Sequence, residues 1–418
     1  MESISASELA LELVNQCLRG GDWPRDLLET LLRCTAHPDE GQAREASRAL
    51  FSIVVERLAD LFEPALCDTY AAIFSYVIEF AFPEVSAADV VERYRRVRAP
   101  RRFDGQVEQV RDVFVLSRVT LGADVAITSV ALDAAKRKFP GARIHFVGPQ
   151  KSWEMFCGDR RLRHVPVSYA RAATLRERLS IWPALRGVLG VPGAVVIDPD
   201  SRLTQLGLLD VCPEENYYFF ESRSYGEYDQ ESLTNLTRRW VRETFGVEDA
   251  QPFINIPRQT PVDVGGAAAV SFGVGENPSK RIRHPFEEDL LRGLLDRGLR
   301  VAIDKGAGGE EARRVERAVE RCGGPSQRIA IHEGAFAPFA ATIAQSRLYV
   351  GYDSAGQHVA AAAGTPLVTV FGGYLNDRMF HRWQPTGPGP AEVVKVEDPD
   401  PKKVLAETLE AVDRLLNR

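Results

Sequence analysis

The stretch that decides the fold reads Gly351-Tyr352-Asp353-Ser354-Ala355-Gly356-Gln357-His358, and alanines at 360–363 and Gly364-Thr365-Pro366 follow it. The apolar residues 348–350 predict a buried β-strand, after which small residues turn the chain into an alanine-rich helix that Gly364 ends. The first N–H groups of such a helix lack partners within the helix and can bind an anion. His358 taken alone is more often a packed helix residue than a catalyst. The whole string predicts an anion-binding strand–loop–helix unit.

The same alternation of short β-type runs with longer helical runs extends to both sides of this stretch. Further strands are predicted at 268–272, 301–303, 329–331 and 367–370, and upstream at 113–116, 144–147 and 194–197. Alternation of this kind is typical of βαβ units with parallel sheets. Prolines 252, 257 and 261 interrupt it. The sequence therefore predicts an α/β protein with two Rossmann-like lobes and a central cleft, the lobes spanning 106–257 and 258–418.

Residues 1–105 carry a helical pattern without evident strands. Asp22 followed by Pro24 predicts a helix start, and 98–105, with Pro100 and several arginines, predicts a linker. One helix face is formed by Leu50, Val54, Leu58 and Leu61. This N-terminal all-helical extension must bury that face against its own helices, the first lobe or another subunit.

Ligands of open α/β sheets bind beyond the carboxyl ends of the strands, so the loops there are where chemistry is expected. The loop 117–124 ends in Asp124, which is predicted to face the cleft at a helix start. Asp is a preferred N-cap residue. A carboxylate at this place can also take the proton from an acceptor hydroxyl.

Two further loops belong to the second lobe. Asn277-Pro278-Ser279-Lys280-Arg281 clusters two basic residues that can neutralise a diphosphate, although such residues are often simply solvated. Gly306-Ala307-Gly308-Gly309-Glu310-Glu311 combines glycines with acidic residues that can hold a ribose diol or favour the helix dipole.

Composition limits the function classes. The 418 residues carry a formal net charge of −6, which disfavours nucleic acid as a partner. The six cysteines are far apart and form no zinc-type spacing, which favours a reducing cytoplasm. No signal peptide or membrane span is evident, so membrane contact is expected to be peripheral at most.

Three of these motifs together resemble family 9 glycosyltransferases, the ADP-heptose:lipopolysaccharide heptosyltransferase family. Asp353-Ser354 with His358 and Gly364-x-Pro366 is similar to the family signature, Ser279-Lys280-Arg281 to its donor-phosphate loop, and Leu121-Gly122 with Asp124 to its first loop. The resemblance covers roughly 113–418. It implies a GT-B fold and a metal-independent inverting glycosyltransferase that needs no cofactor.

The resemblance also implies roles for single residues. Asp124 is the expected general base, and the donor, an ADP-heptose-like nucleotide sugar, is expected at Ser279, Lys280, Arg281, Glu310, Glu311, Asp353, Ser354, Ala355, Gly356 and His358. The acceptor is expected to be a glycan or a lipid-linked glycan in lipopolysaccharide or related assembly. A protein O-heptosyltransferase and a non-catalytic nucleotide-sugar-binding scaffold are the alternatives.

The sequence departs from the family pattern at two places. Ala123 is inserted between Gly122 and Asp124, and Ala355-Gly356 replaces the usual glycine and its neighbour. Asp198-x-Asp200 has the spacing of a metal-chelating pair. Because the remaining motifs are those of enzymes that need no such ion, we expect no metal there.

Overall fold

The computed structural model describes residues 4–20, 23–170, 172–227, 230–257, 266–275, 277–306 and 308–418. Within these ranges the strands are β1 Asp112–Leu116, β2 Arg143–Gly148, β3 Leu162–Pro166, β4 Val195–Asp198, β5 Tyr217–Phe219, β6 Ala268–Ser271, β7 Val301–Asp304, β8 Ile329–His332, β9 Leu348–Tyr352, β10 Leu367–Phe371 and β11 Ala391–Lys395. They form two parallel sheets, each flanked by helices.

The α-helices of the described chain alternate with these strands after residue 110. They are α1 Ala6–Arg19, α2 Arg25–Thr35, α3 Glu40–Ala49, α4 Glu56–Asp60, α5 Pro64–Ala81, α6 Ala87–Arg98, α7 Leu121–Ala123, α8 Ser129–Lys138, α9 Gln150–Trp153, α10 Leu175–Leu179, α11 Ile181–Leu189, α12 Leu233–Phe245, α13 Phe286–Asp296, α14 Gly309–Arg321, α15 Phe336–Gln345, α16 Ala355–Ala363, α17 Asp377–Arg382 and α18 Pro401–Leu416. π-helical turns at Leu50–Val55 and Asp124–Thr128 join α3 to α4 and α7 to α8.

Each sheet contains one point where the strand order reverses. The first sheet has the order β3-β2-β1-β4-β5, so the chain moves outward from β1 in one direction and then returns to add β4 on the other side. The second sheet has the order β11-β10-β9-β6-β7-β8, with the reversal between β6 and β9. The loops that follow β1 and β4, and those that follow β6 and β9, therefore diverge and leave a crevice in each lobe.

All eight predicted strands are present, with ends shifted by a residue or two. The strands that the sequence pattern did not reveal are β3, β5 and β11, and each lies at a sheet edge. An edge strand faces neighbours on one side only and does not need a continuous apolar run. The predicted α/β fold is confirmed, whereas the lobe boundaries stay predictions, with residue 258 outside the described residues.

The N-terminal extension packs on the first lobe. Leu13 and Phe74 of the extension belong to the same buried cluster as Phe114 on β1 and Val196 on β4. The predicted apolar face is buried at Leu50, Val54 and Leu58 and partly buried at Leu61. The sequence left open which surface covers this face. In the structure it is covered by the extension's own helices and by the first lobe.

Two smaller points concern these helices. Pro24 directly precedes α2, as the predicted helix start requires, and Asp22 lies outside the described residues. Among the helices of the described ranges, none combines the length and apolar character needed to span a bilayer.

Candidate functional site

The crevices of the two lobes meet at Gly122 and His358. Gly122 begins the helical segment after β1, and His358 lies in the first turns of α16 after β9. A Cβ atom added to Gly122 would lie 3.2 Å from His358 Cδ2 and 3.4 Å from Ala355 Cα. The first-lobe motif and the signature stretch of the second lobe, which are more than 220 residues apart, are thus in contact across the cleft.

In the second lobe, β6 pairs directly with β9, which brings the loop 277–281 beside residues 353–356. Lys280 Nζ donates to Asp353 Oδ2 at 2.6 Å and to the Asp353 carbonyl at 3.2 Å. Gln357 Nε2 donates to the other oxygen of the Asp353 carboxylate. Asp353 therefore acts within the protein by holding Lys280 at the start of α16.

The start of α16 has small residues that let a ligand come close to the backbone. Ser354 precedes the helix in an extended conformation, and Ser354 and Ala355 are only partly buried. A Cβ atom on Gly356 would lie 2.3 Å from the hydroxyl oxygen of the buried Tyr349. Glycine is required at Gly356 because this turn of the helix rests on the Tyr349 ring. The first N–H groups of α16 point toward the cleft end of the lobe, where an anion can accept from them.

His358 is buried and neutral. Its ring lies 5.8 Å from the ring of Trp383, and burial lowers the pKa of His358 from 6.5 to about 4, with a smaller opposing effect from the Asp353 carboxylate. At neutral pH it therefore brings no positive charge to a diphosphate. Its contact with Gly122 makes it part of the surface where the lobes meet.

In the second lobe, the side chains predicted to bind the donor ribose and the phosphates lie beside one another. Arg281 Nη1 donates to Glu310 Oε1 at 2.8 Å, so these two residues neutralise each other. Ser279 is exposed, and its hydroxyl donates to the side-chain oxygen of Asn277.

Glu311 lies deeper than Glu310. A Cβ atom on Gly306 or Gly273 would collide with the Glu311 carboxylate, at 2.2 Å and 2.7 Å respectively. Gly306 also has a φ of +75°, which favours glycine. Glu311 thus sits between the ends of β6 and β7, while Ala307 of the same loop lies outside the described residues.

Asp124 does not face the cleft as predicted. Its side chain has no exposed surface, and its carboxylate accepts from Ser117 Oγ at 2.7 Å, from the Arg118 N–H at 2.7 Å and from Thr128 Oγ1 at 2.8 Å. The N-cap residue of this helical segment is Thr120. The alternative prediction, that Asp124 is the N-cap, is therefore also wrong.

The π-helical turn Asp124–Thr128 explains this orientation. A π-turn takes up one residue more than an α-turn, and it occurs where the sequence has the inserted Ala123. Burial raises the pKa of Asp124, and the surrounding hydroxyl and N–H donors oppose the rise. In this conformation the carboxylate fixes the loop 117–124.

Asp198 and Asp200 are engaged by protein groups. Asp198 accepts from Thr204 Oγ1 and Tyr217 at 2.5 Å each, and burial raises the pKa of Asp198 to about 6. Asp200 accepts from Arg223 Nε at 3.1 Å. Across the ranges that the structure describes, no group of three or more His, Cys, Asp or Glu side chains is arranged to hold a metal ion.

Two charged residues of the cleft were not among the site residues predicted from the sequence. Arg118 links the loops after β1 and β4, since its Nη1 donates to the Pro199 carbonyl at 3.0 Å and to Ser222 Oγ at 2.6 Å. Asp60, at the end of α4, reaches Arg202 of the loop after β4, with 3.9 Å between Oδ1 and Nη2. Only the packing of the extension brings Asp60 here.

Two cavities adjoin the first lobe. One of about 270 Å³ lies between the extension and the first lobe and is lined by Arg202 and Glu56, among others. A larger one of about 520 Å³ lies beside the edge strand β5 and contains none of the predicted site residues. The smaller cavity is the one next to the switch point of the first sheet.

Two Rossmann-like lobes whose crevices face each other define a GT-B fold. Escherichia coli heptosyltransferase WaaC with ADP-2-deoxy-2-fluoro heptose has a TM-score of 0.52 at 16% identity, with 73% of this chain and 99% of that chain covered. The family 9 glycosyltransferase of Veillonella parvula has a TM-score of 0.54 at 16% identity, covering 74% and 98%. At these identities the likeness shows the shared fold alone.

Two sequence comparisons point to one family. The model of glycosyltransferase family 9 (heptosyltransferase) matches residues 277–393. Lipopolysaccharide heptosyltransferase 3 of Escherichia coli is 32% identical over 123 residues, which are 27% of this chain and 35% of that protein. The match thus spans about a third of the curated relative. The predicted resemblance to glycosyltransferase family 9 is confirmed.

Proposed function

We propose that this chain is an inverting glycosyltransferase that moves a heptose from an ADP-heptose-like donor to a hydroxyl group of a glycan or lipid-linked acceptor. The observation that carries the proposal is the contact of Gly122 with Ala355 and His358, where the first-lobe motif meets the family signature. Open α/β sheets bind ligands at such switch points. A relative of the same fold was solved with ADP-2-deoxy-2-fluoro heptose.

The donor diphosphate would lie between Lys280 and the start of α16. Lys280 supplies a positive charge, and the N–H groups near Ser354, Ala355 and Gly356 supply hydrogen-bond donors. Both stabilise the charge that develops on the departing nucleoside diphosphate, and such preorganised donors need no rearrangement during the reaction. Arg281 and Ser279 border the same loop and would contact the outer phosphate oxygens.

The donor ribose would be held by Glu310 or Glu311. Carboxylates at this place in Rossmann-like lobes accept hydrogen bonds from ribose hydroxyls. Glu310 is the more exposed of the two and is paired with Arg281, so ribose binding there would compete with the 2.8 Å ion pair.

The transfer itself requires a base for the acceptor hydroxyl. Attack on the anomeric carbon from the side opposite the leaving diphosphate inverts its configuration, and the acceptor proton must go to a protein group. Asp124 is the base predicted from the resemblance. To act, its buried carboxylate would have to exchange one of its hydrogen bonds to protein donors for a hydrogen bond from the acceptor hydroxyl.

The acceptor would enter from the side of the extension and the first lobe. The cavity beside Arg202 supplies space there. We further propose that the reaction belongs to lipopolysaccharide or related glycan assembly and takes place in the cytoplasm, with at most peripheral contact to the inner face of the inner membrane.

The experiment that tests this function measures ADP release from ADP-heptose together with labelled product. Heptose-free lipopolysaccharide, a free oligosaccharide and an unmodified autotransporter domain would serve as parallel acceptors. We expect acceptor-dependent ADP release with a lipid or glycan acceptor. Product on the protein acceptor alone would favour a protein O-heptosyltransferase. Tight donor binding without release would contradict the enzyme assignment and favour a binding scaffold.

A further inference from the structure

The N-terminal extension reaches the second lobe as well as the first. Where α4 ends, residues 60–63 pass between the lobes. The Leu61 carbonyl accepts from Asn376 Nδ2 at 3.1 Å, and the Phe62 carbonyl accepts from Arg378 Nη1 at 2.7 Å. The extension therefore contacts both lobes.

A strained turn fixes this segment. Phe62 has a φ of +56°, a left-handed conformation that is rare for a bulky residue. Its buried ring lies 6.1 Å from the ring of Trp383, which in turn neighbours His358. Strain of this kind persists only where the surroundings impose it, and it is concentrated at functional sites.

The turn leaves Asp60 in the cleft. Its side chain keeps 44% of its surface exposed, in contrast to the fully buried Asp124. Burial among the surrounding elements raises the pKa of Asp60, and the positive charges of Arg202, Arg118, Lys280 and Arg223 oppose the rise. Arg118 and Arg202 follow the first-lobe switch-point strands, whereas Lys280 belongs to the second-lobe donor loop.

We propose that Asp60, supplied by the helical extension, is the general base that takes the proton from the acceptor hydroxyl. This inference rests on the proposed glycosyl transfer. The Asp60 carboxylate accepts the acceptor proton while the acceptor oxygen forms a bond to the anomeric carbon. The bond from that carbon to the diphosphate oxygen breaks, and this oxygen leaves with the electron pair toward Lys280.

The two carboxylates of the cleft motifs, Asp353 and Asp124, are engaged by hydrogen-bond donors of the protein. Asp353 is bound by Lys280 and Gln357, and Asp124 by the loop that it fixes. A base needs both a deprotonated carboxylate and access to the acceptor. Asp60 keeps an accessible side chain, with 44% of its surface exposed. Its pKa is raised by desolvation, which strengthens it as a base, and the arginines around it limit the rise.

The test compares two carboxylates of the extension. Asp60→Asn removes the proposed base, and Asp68→Asn removes an exposed carboxylate of α5 that pairs with Arg98, with 2.5 Å between Oδ1 and Nη1. Both variants would be assayed in the full chain with ADP-heptose and heptose-free lipopolysaccharide. Affinity for ADP would be measured separately by calorimetry.

We expect Asp60→Asn to lower kcat by about 100-fold or more, because general-base catalysis contributes roughly 10² to 10⁴. Its affinity for ADP should be unchanged or higher, since a negative charge near Lys280 is lost. The acidic limb of the pH profile, which reports ionisation of Asp60, should disappear. Asp68→Asn should stay within about threefold of the wild type, because an exposed carboxylate outside the acceptor cavity takes no proton from the acceptor.

Three outcomes would overturn the inference. Wild-type turnover in Asp60→Asn would do so, and a large loss in a folded Asp124→Asn variant alongside it would assign the base to Asp124. A parallel loss of ADP affinity in Asp60→Asn would indicate a structural role. If the wild type itself releases no ADP with any acceptor, both this inference and the proposed function fail.

Discussion

Lys280 offers the sharpest test of the donor site, because a single substitution removes its charge while keeping its length. Lys280→Met removes the ammonium that lies 2.6 Å from Asp353 Oδ2. A hydrogen bond to a charged group contributes about 1.5–3 kcal/mol. At about 1.4 kcal/mol per factor of ten, the affinity for ADP should fall by roughly 10- to 150-fold.

The same substitution leaves the Asp353 carboxylate buried with Gln357 as its remaining side-chain donor. This should also lower the free energy of unfolding by about 3 kcal/mol. Adding Asp353→Asn removes the stranded charge. The double variant should therefore recover most of the stability and none of the ADP affinity.

Calorimetric titration with ADP and urea denaturation separate the two effects. Lys305→Met is the matched control, since Lys305 follows the neighbouring strand β7 and is similarly paired, with Glu316 and Glu333. We expect it to change ADP affinity by less than about threefold, because a pair away from the phosphates adds little to binding. If Lys280→Met binds ADP like the wild type, or if the double variant regains affinity, the assignment of the diphosphate to Lys280 is refuted.

Three further predictions concern stability and metal. Because burial lowers the pKa of His358 from 6.5 to about 4, the unfolded chain binds the proton more tightly, so the free energy of unfolding should fall by about 3 kcal/mol from pH 6.5 to pH 4. If a His358→Gln variant keeps this pH dependence, the fall in unfolding free energy does not come from His358. Gly356→Ala should cost about 1–3 kcal/mol in urea denaturation, because its Cβ atom would meet Tyr349. Gly187→Ala, in an open helical position, should be neutral or stabilising by about 1 kcal/mol, and equal losses in both variants would argue against the close contact. Transfer activity should survive EDTA, because the Lys280 ammonium and the N–H groups of α16 are proposed to stabilise the diphosphate charge. Activity that is lost with EDTA and restored by Mg²⁺ or Mn²⁺ would show that a divalent ion is required.

The two sheets and the loops that carry the site motifs were predictable from local sequence patterns. Strands such as β1, β6 and β9 are buried on both faces, so each appears as an apolar run bounded by small or polar residues. The signature after β9 could be read directly, because helix starts and glycine turns are encoded by neighbouring residues. Edge strands such as β3 escaped this reading because one side has no strand neighbour.

Which side chains reach the cleft depends on how the elements pack, and local sequence patterns did not reveal it. Asp124 lies at the predicted place in the chain, yet a π-turn beside the inserted Ala123 directs its carboxylate inward. A single added residue rotates a helix by about 100°, and the hydrophobic pattern around it does not reveal where the rotation is absorbed.

The same holds for the helical extension. Its apolar faces predicted burial and left the partner open, because hydrophobic burial is non-directional and any apolar surface satisfies it. The fold selected the first lobe, and the left-handed turn at Phe62 then carried Asp60 between the lobes, near Lys280, which lies 220 residues further along the chain. A contact over that distance depends on how whole elements pack, which local sequence patterns do not encode.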